Sequence, residues 1–569
     1  MKFFFSGHED VACLLIDKTD VKTLSNTSDP NLPLHLACKT KKESISIVKR
    51  ILDKVKKESK IDLNNLLDTV DSDKQTILNM CIDKNHLNMV DILLKEYYTD
   101  IKDEFDKNGH LPVHLAARNG SVELFKVLVK NEAISFKINS HGDNPLHIAA
   151  ENNKFNFIKE FLEYEKAFVE KNKLNAIHQP TALALNRERY TPLFLAIIGG
   201  HTKCVELFVA LDYMKLDAHD KNGNTIFHVC AEFNNQESLR VILRKNDSRI
   251  LKGLYMKNKR NETVMHTASE YENLEIIKLV LNKVYDGFMP VETFLKTRNK
   301  DGQTFFHIAC IKGFFNIVEY FLKDLKMKYL LEVLDKDLNS PLHLASSNNH
   351  LSIVNLIIDV AVGVIDFGAK NKEGHTALEL SCRKGFFEIS KTLINRNPKQ
   401  IEAEKNVNDD PLHVACNEGS YEVVRLLLAK GAPIDIFNNE NKNCLDIAIE
   451  KGHREVIKVL LEDPNWHKLF LPEIKLEKNE IQTTKKLNSI GSNTSNNNHL
   501  VKESPQFNAM YEKKMWDLLK IVLDNCHKEE DFEFKILDPP IKDVNFHPLT
   551  LLAKSGQYNF ISLISFKLS

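Results

Sequence analysis

The sequence predicts an all-α chain assembled as a stack of repeated helix pairs. Three observations point there. The stretch at 408–435, NDDPLHVACNEGSYEVVRLLLAKGAPID, returns in variant form along most of the chain. Many copies follow a short turn made of Asp, Asn, Lys and Gly. Neither helix of the unit can bury its apolar stripe alone, so the unit makes sense only with neighbours on both sides.

Within that stretch, Asp410 suits a helix N-cap and Pro411 the first helical position, where no amide donor is needed. Leu412, Val414 and Ala415 give a short first helix, and Gly419 stands where a helix end wants a residue tolerant of positive φ. Val423, Val424, Leu427 and Leu428 form the stripe of a second helix, which Lys430-Gly431 ends.

The motif is centred on Leu34, Leu78, Val113, Leu146, Leu193, Phe227, Met265, Phe306, Leu342, Leu378, Leu412 and Leu445. The clearest turns are Asp106-Lys107-Asn108-Gly109, Asp220-Lys221-Asn222-Gly223 and Asn299-Lys300-Asp301-Gly302, whose Asn-Gly and Asp-Gly pairs supply the positive-φ positions of a tight hairpin. The motifs NLPLHLAC at Asn31, GDNPLHIAA at Gly142 and GQTFFHIAC at Gly302 resemble those of the ankyrin-repeat family. That resemblance covers roughly residues 7–463 and implies about 12 L-shaped repeats of two antiparallel helices, with hairpin fingers projecting to one side. The copies at Thr76 (TILNMC) and Thr263 (TVMHTA) are degenerate, and residues 164–189 hold an insertion or an irregular repeat. The chain opens inside a repeat: Gly7-His8-Glu9-Asp10-Val11 through Leu15 matches the second helix at Gly452 through Leu461. Either residues precede it or the stack starts on an exposed apolar face, and the polar caps usual at stack ends favour the former.

The chain has 569 residues, 77 basic and 78 acidic side chains. That balance argues against a dedicated nucleic-acid or anionic-membrane surface. Ten cysteines are scattered without metal-like pairing, as expected of free thiols in a reducing, cytosolic setting. Phe3-Phe4-Phe5 is too short for a secretory signal, and the best membrane-span candidate, 353–365, is broken by Asn355 and Asp359 and reads as a repeat's second helix.

Eight histidines occupy the fourth motif position: His35, His114, His147, His228, His266, His307, His343 and His413. One per repeat is too wide a spacing for a shared metal, so each imidazole is expected to hydrogen-bond the turns between repeats instead of forming a metal ladder or a pH sensor. No phosphate-cradling glycine loop, metalloprotease, nucleophile-elbow or kinase motif occurs. Lys54-Val55-Lys56-Lys57 and Lys39-Thr40-Lys41-Lys42 read as solvated helix faces or turns, with an anion site as the lesser alternative. No catalytic residue, cofactor or metal site is expected; the chain offers surface for other proteins.

After Asp463 the character changes. Residues 481–504, rich in Asn, Ser, Thr and Lys, read as disordered, 515–526 as a helix and 531–536 as a strand. Three tail segments, REVIKVLLEDPNWHKLF from Arg454, Met515 through Cys526, and Val544-Asn545-Phe546-His547-Pro548-Leu549-Thr550 through Ile561, are similar in order to the pre-membrane linker of the ankyrin-type transient receptor potential (TRPA) cation channels. That resemblance implies the cytoplasmic sensing, gating and assembly region of a homotetrameric, calcium-permeable channel, with the pore absent from these residues. It implies membrane association only through downstream segments, at the cytoplasmic face of the plasma membrane. Cys526 matches one electrophile-sensing position of some members, whereas the upstream reactive position falls near Pro505-Gln506, where no cysteine stands. The other reading of Cys526 is a half-buried thiol. The expected layout is a partial repeat at 1–30, the array at 31–463, a partly disordered linker at 464–509 and a mixed α/β pre-membrane region at 510–569. The alternative function is a soluble ankyrin scaffold.

Overall fold

The computed structural model describes residues 9–465 except 25–32, 41–42, 59–62, 72–74, 99–105, 107–108, 134–136, 173–178, 246–247, 288–289, 362, 364, 402–409, 439 and 441. The expected helix at 515–526, strand at 531–536, mixed region at 510–569 and Cys526 therefore lie outside the described residues. The chain divides into two compact units, Met1–Lys300 and Asp301–Ser569.

Among the described residues, each unit is an all-α stack. In the first, Pro33–Cys38 packs on Ile77–Asp83, and contacts continue in turn through Pro112–Asn119, Pro145–Glu151, Pro192–Ile198, Ile226–Glu232 and Val264–Glu270. A second row runs beside it: Leu87–Ile92, Val122–Lys130, Phe155–Lys171, Thr202–Val209, Gln236–Arg244 and Leu274–Tyr285. The second unit repeats the plan. Its first helices are Phe305–Lys312, Pro341–Ser347, Ala377–Arg383, Pro411–Asn417 and Cys444–Lys451. Its second row runs from Phe315–Glu319 to Arg454–Glu462. Helix Glu9–Lys18 lies against Ile45–Glu58, while its Val11, Leu14 and Leu15 are exposed.

Local chemistry sets each first helix. Thr76, Asn144, Thr304, Ser340, Thr376 and Asp410 hold extended backbone at the N-cap, and each side chain accepts the amide of the residue three further on. Proline opens the helices at Pro112, Pro145, Pro192, Pro341 and Pro411. The core falls between the rows: Phe125, Phe157, Phe161, Phe194, Phe208 and Phe227 are fully buried in the first unit.

The fingers are tight turns. Asp220 Oδ1 accepts the amides of Asn222 and Asn224 at 2.8 and 2.7 Å. Gly223 takes φ +80°, and a Cβ there would stand 3.0 Å from the Lys259 backbone nitrogen, so the close approach of the following finger is a second reason for glycine at 223. Among the described residues the strand-type pairing is one isolated bridge, His219 to Thr225.

The extra length at 164–189 has a physical form. Helix Phe155–Lys171 overshoots, and buried Glu165 accepts the Thr181 amide at 2.8 Å and its hydroxyl at 2.9 Å, tying the returning chain to the helix. The stretch at 353–365 contributes helix Leu351–Val360, and among the described residues no helix is long and apolar enough to cross a membrane.

Because each repeat touches only its neighbours, damage stays local. Leu412, 2% exposed, sits on a first helix that packs on Ala377–Arg383 and Cys444–Lys451. Leu412→Ala should cost about 2–5 kcal/mol. Hydrogen exchange should accelerate in the repeats at Leu378, Leu412 and Leu445 and remain unchanged in the Met1–Lys300 unit; uniform acceleration would contradict local coupling.

Candidate functional site

The motif histidines His114, His147, His228, His307 and His343 are two-ended connectors. Within its own repeat, Nδ1 accepts the backbone N–H of the cap residue: Leu111 to His114 at 3.1 Å, Thr225 to His228 at 3.2 Å, Thr304 to His307 at 3.2 Å and Ser340 to His343 at 3.3 Å. From the other side of the ring, Nε2–H donates to a carbonyl of the next repeat. The acceptors are Asp143 for His114 at 3.0 Å, Glu262 for His228 at 2.9 Å, Val333 for His307 at 3.0 Å and Ala369 for His343 at 3.0 Å. A backbone amide can only donate and a carbonyl can only accept, so both ends select one neutral tautomer, with the proton on Nε2. His35, His147 and His413 make the same outward bond, to Thr69 at 3.1 Å, Tyr190 at 2.9 Å and Lys442 at 3.3 Å. His266 accepts its own cap amide from Thr263 at 3.2 Å.

Four repeats carry another residue at this position. Asn79 is 0% exposed, and its carboxamide finds no partner among the described residues. Phe194 instead stacks on Tyr190 at 5.6 Å. Glu379 and Asp446 accept their own cap amides, from Thr376 at 2.7 Å and Asn443 at 3.0 Å, but a carboxylate has no proton to give a carbonyl.

Sequence reasoning missed a second row of connectors at the start of the second helices. His201, His350 and His453 donate Nε2–H back to carbonyls of the preceding repeat: Glu151 at 3.0 Å, Ile311 at 2.8 Å and Asn417 at 2.9 Å. Asn235 and Asn273, at the same place, reach Ile197 and Ala231, and Asn119, the last residue of helix Pro112–Asn119, donates Nδ2–H to the Ile82 carbonyl at 2.8 Å. The signal was present: each histidine follows a positive-φ residue, Gly200, Asn349 or Gly452. Fingers add a third row, with Lys221, Lys259 and Lys372 amides donating to the Glu188, Asn222 and Asp337 carbonyls at 3.2, 2.8 and 2.8 Å.

The first basic run is partly committed inside the fold. Lys54 Nζ caps the end of helix Glu9–Lys18 through the Ile16, Asp17 and Thr19 carbonyls at 3.0, 2.8 and 2.8 Å. Lys56 Nζ stands 5.8 Å from the Tyr97 ring centroid. In the second run, Lys39 pairs with Asp71 at 2.9 Å. Among the described residues, no group of His, Cys, Asp or Glu is placed to hold a metal. Described cysteines other than half-buried Cys13 are buried and unbridged. Burial pushes the Cys204 thiol up to about 11 and Cys382 to about 12, which keeps both as unreactive thiols.

Burial pulls His114 and His228 down to about 4, and His147 and His343 downward as well. His413 differs because its cap is a carboxylate: burial lowers it, but Asp410 Oδ1 at 2.8 Å outweighs burial and holds it above the ordinary value.

The sign of the pH dependence follows. Unfolded, His114 and His228 take up protons near 6.5; folded, only near 4. Acid therefore favours the unfolded chain, and stability falls from pH 6.5 toward 4, by up to about 3 kcal/mol per histidine. His413 has the opposite sign: its stabilisation is complete below 6.5 and is lost as pH rises through its raised pKa. Replacing His228 by alanine orphans the Thr225 amide and leaves the Glu262 carbonyl with the Asn258 amide as its donor, and should cost about 2–4 kcal/mol at pH 7. Urea unfolding between pH 7 and 4 should show a shallower acid loss in that variant than in the parent; parallel pH curves would contradict the assignment.

The sequence matches the family described as Ankyrin repeats (3 copies) over residues 2–104, 99–175, 166–252, 244–331, 326–409 and 397–468. Over 175 residues it is 30% identical to a "Transient receptor potential cation channel subfamily A member 1 homolog" of Caenorhabditis elegans, covering 31% of this chain and 14% of that protein. It is 36% identical over 96 residues to the "Probable E3 ubiquitin-protein ligase XBOS33" of Oryza sativa subsp. japonica, covering 17% of this chain and 18% of that one. It is 25% identical over 142 residues to the "Nuclear factor NF-kappa-B p105 subunit" of Gallus gallus, covering 25% and 14%. The chain thus spans less than a fifth of the length of each of these relatives. The matches tile the chain from residue 2 to 468, and the helix pairs, capped motifs and connectors recur across them: the chain belongs to the ankyrin-repeat family.

Proposed function

We propose that this array is the cytoplasmic sensing, gating and assembly region of a TRPA-like, calcium-permeable, non-selective cation channel. Ankyrin repeats generally serve protein–protein interaction and are generally non-catalytic, which is the coarse frame for this reading. The observation that carries the finer one is the 30% identity over 175 residues to the subfamily A channel homologue. Three tail segments between Arg454 and Ile561, similar in sequence to that family and in the same succession, support it. In this reading the chain acts at the cytoplasmic face of the plasma membrane, assembles as a homotetramer and performs no catalysis. Repeats joined only to their neighbours pass strain along the stack, which suits a gating arm. Cys526 is a candidate electrophile-sensing thiol in the same reading.

A second reading is a soluble scaffold, favoured by the similarity to ankyrin-bearing p105 and ligase proteins. The two separate at the transcript. The channel reading expects six apolar segments of about 20 residues encoded beyond Ser569, and four subunits per particle in native mass spectrometry of the extended product. A stop codon directly after Ser569 in an intact transcript, with a monomeric product, contradicts it.

A further inference from the structure

The first-helix surface of the Met1–Lys300 unit carries two large aromatics at one register. Phe233 follows helix Ile226–Glu232 and Tyr271 follows Val264–Glu270, each as the first residue past the helix. They are 46% and 49% exposed. The two helices pack side by side, so both residues belong to adjacent repeats. The fold does not ask for a ring there: the same position is Asn119, Asn152 and Gly199 in the three preceding repeats. Solvent-exposed aromatics repeated in register are a mark of a contact surface.

Glu232 stands between aromatic neighbours. It accepts the Tyr271 hydroxyl at 3.5 Å. Burial, then Glu232 and Glu270, push the Tyr271 phenol up, and burial with Asp220, Glu232 and Glu188 does the same to Tyr190, whose ring stacks on Phe194 at 5.6 Å. Glu232 is thus within electrostatic reach of tyrosines on both sides. Arg260, the cation that acts on Tyr271, is engaged elsewhere, binding Glu262 at 2.9 Å. No cation of the described residues pairs with Glu232.

We propose that Phe233, Tyr271 and Glu232 form a docking face for a basic peptide segment, with an arginine or lysine cation against the rings and its charge met by Glu232. This rests on reading the array as a protein-binding surface and names the partner's chemistry. Exposed rings offer a cation their negative faces, and the guanidinium of arginine also stacks on them. An acidic partner would meet Glu232 and Glu270 as like charges.

The test uses the full 569-residue chain and a short fluorescently labelled peptide of alternating Gly and Arg, followed by anisotropy. Alternating Gly–Glu and Gly–Ser peptides serve as controls. The expected result is binding of the Gly–Arg peptide that falls by about tenfold in Tyr271→Ala and in Glu232→Gln. Glu237→Gln, on the second helix of the same repeat, should leave affinity within about twofold. Glu232→Lys should weaken the Gly–Arg complex further, and unchanged urea midpoints show that these surface variants fold. Absence of binding, equal affinity for the Gly–Glu peptide, or insensitivity to both Tyr271→Ala and Glu232→Gln overturns the proposal. None of those results touches the channel reading, which the downstream gene and the subunit count decide.

Discussion

The structure depends on an imidazole that is satisfied at both ends and carries no charge. A ring such as that of His228 closes the cap of its own helix with one nitrogen and reaches the next repeat's Glu262 carbonyl with the other. Glutamate in this place closes the cap alone, and phenylalanine does neither. A neutral, two-sided side chain satisfies a buried cap amide that would otherwise cost about 1–3 kcal/mol and adds a second donor to a carbonyl that already accepts the Asn258 amide of its own finger. Burial keeps the ring neutral, and neutrality keeps the bond pattern, so the two conditions hold each other in place.

Between repeats the connection is redundant but uneven. Two rows of side-chain donors, the finger amides and the apolar stripes cross each junction in different combinations. Where Asn79 replaces the histidine, Asn119 still reaches the Ile82 carbonyl; where Phe194 does, Asn235 still reaches Ile197. At Asn79 the buried carboxamide without a partner among the described residues adds a cost that the other repeats avoid. Such junctions are the natural points of local opening in a stack whose parts are joined only to their neighbours. For a gating arm or a docking scaffold alike, the useful property is this graded chain of interfaces.

The fold was legible because its unit is written repeatedly: cap, proline, apolar stripe and glycine turn agree with one another in each copy. Asp410, Pro411 and Gly419 were assignable from local chemistry, and the residues after Tyr164 stood out by breaking the period. The second row of connectors was harder to read. His201 and His453 sit on the loop before an amphipathic helix, and their acceptors lie 50 and 36 residues earlier in the chain. That pairing exists only once the repeats are stacked. The Phe233 and Tyr271 surface was illegible for the opposite reason: an exposed aromatic after a helix looks like any core residue until its burial is known. The basic run at Lys54 shows the same limit, since a charge that caps a neighbouring helix is indistinguishable in sequence from a solvated one.

The most direct measurement of the two-ended connector is the protonation of the rings themselves. In nitrogen-15 spectra of the labelled chain, assigned by single histidine replacements, His114 and His228 should carry one proton, on Nε2, and remain neutral as pH falls until about 4. His413, facing Asp410, should be the exception and take its second proton above the ordinary value. Rings at positions 114 and 228 that carry the proton on Nδ1, or that titrate near 6.5 like free imidazole, would contradict the account.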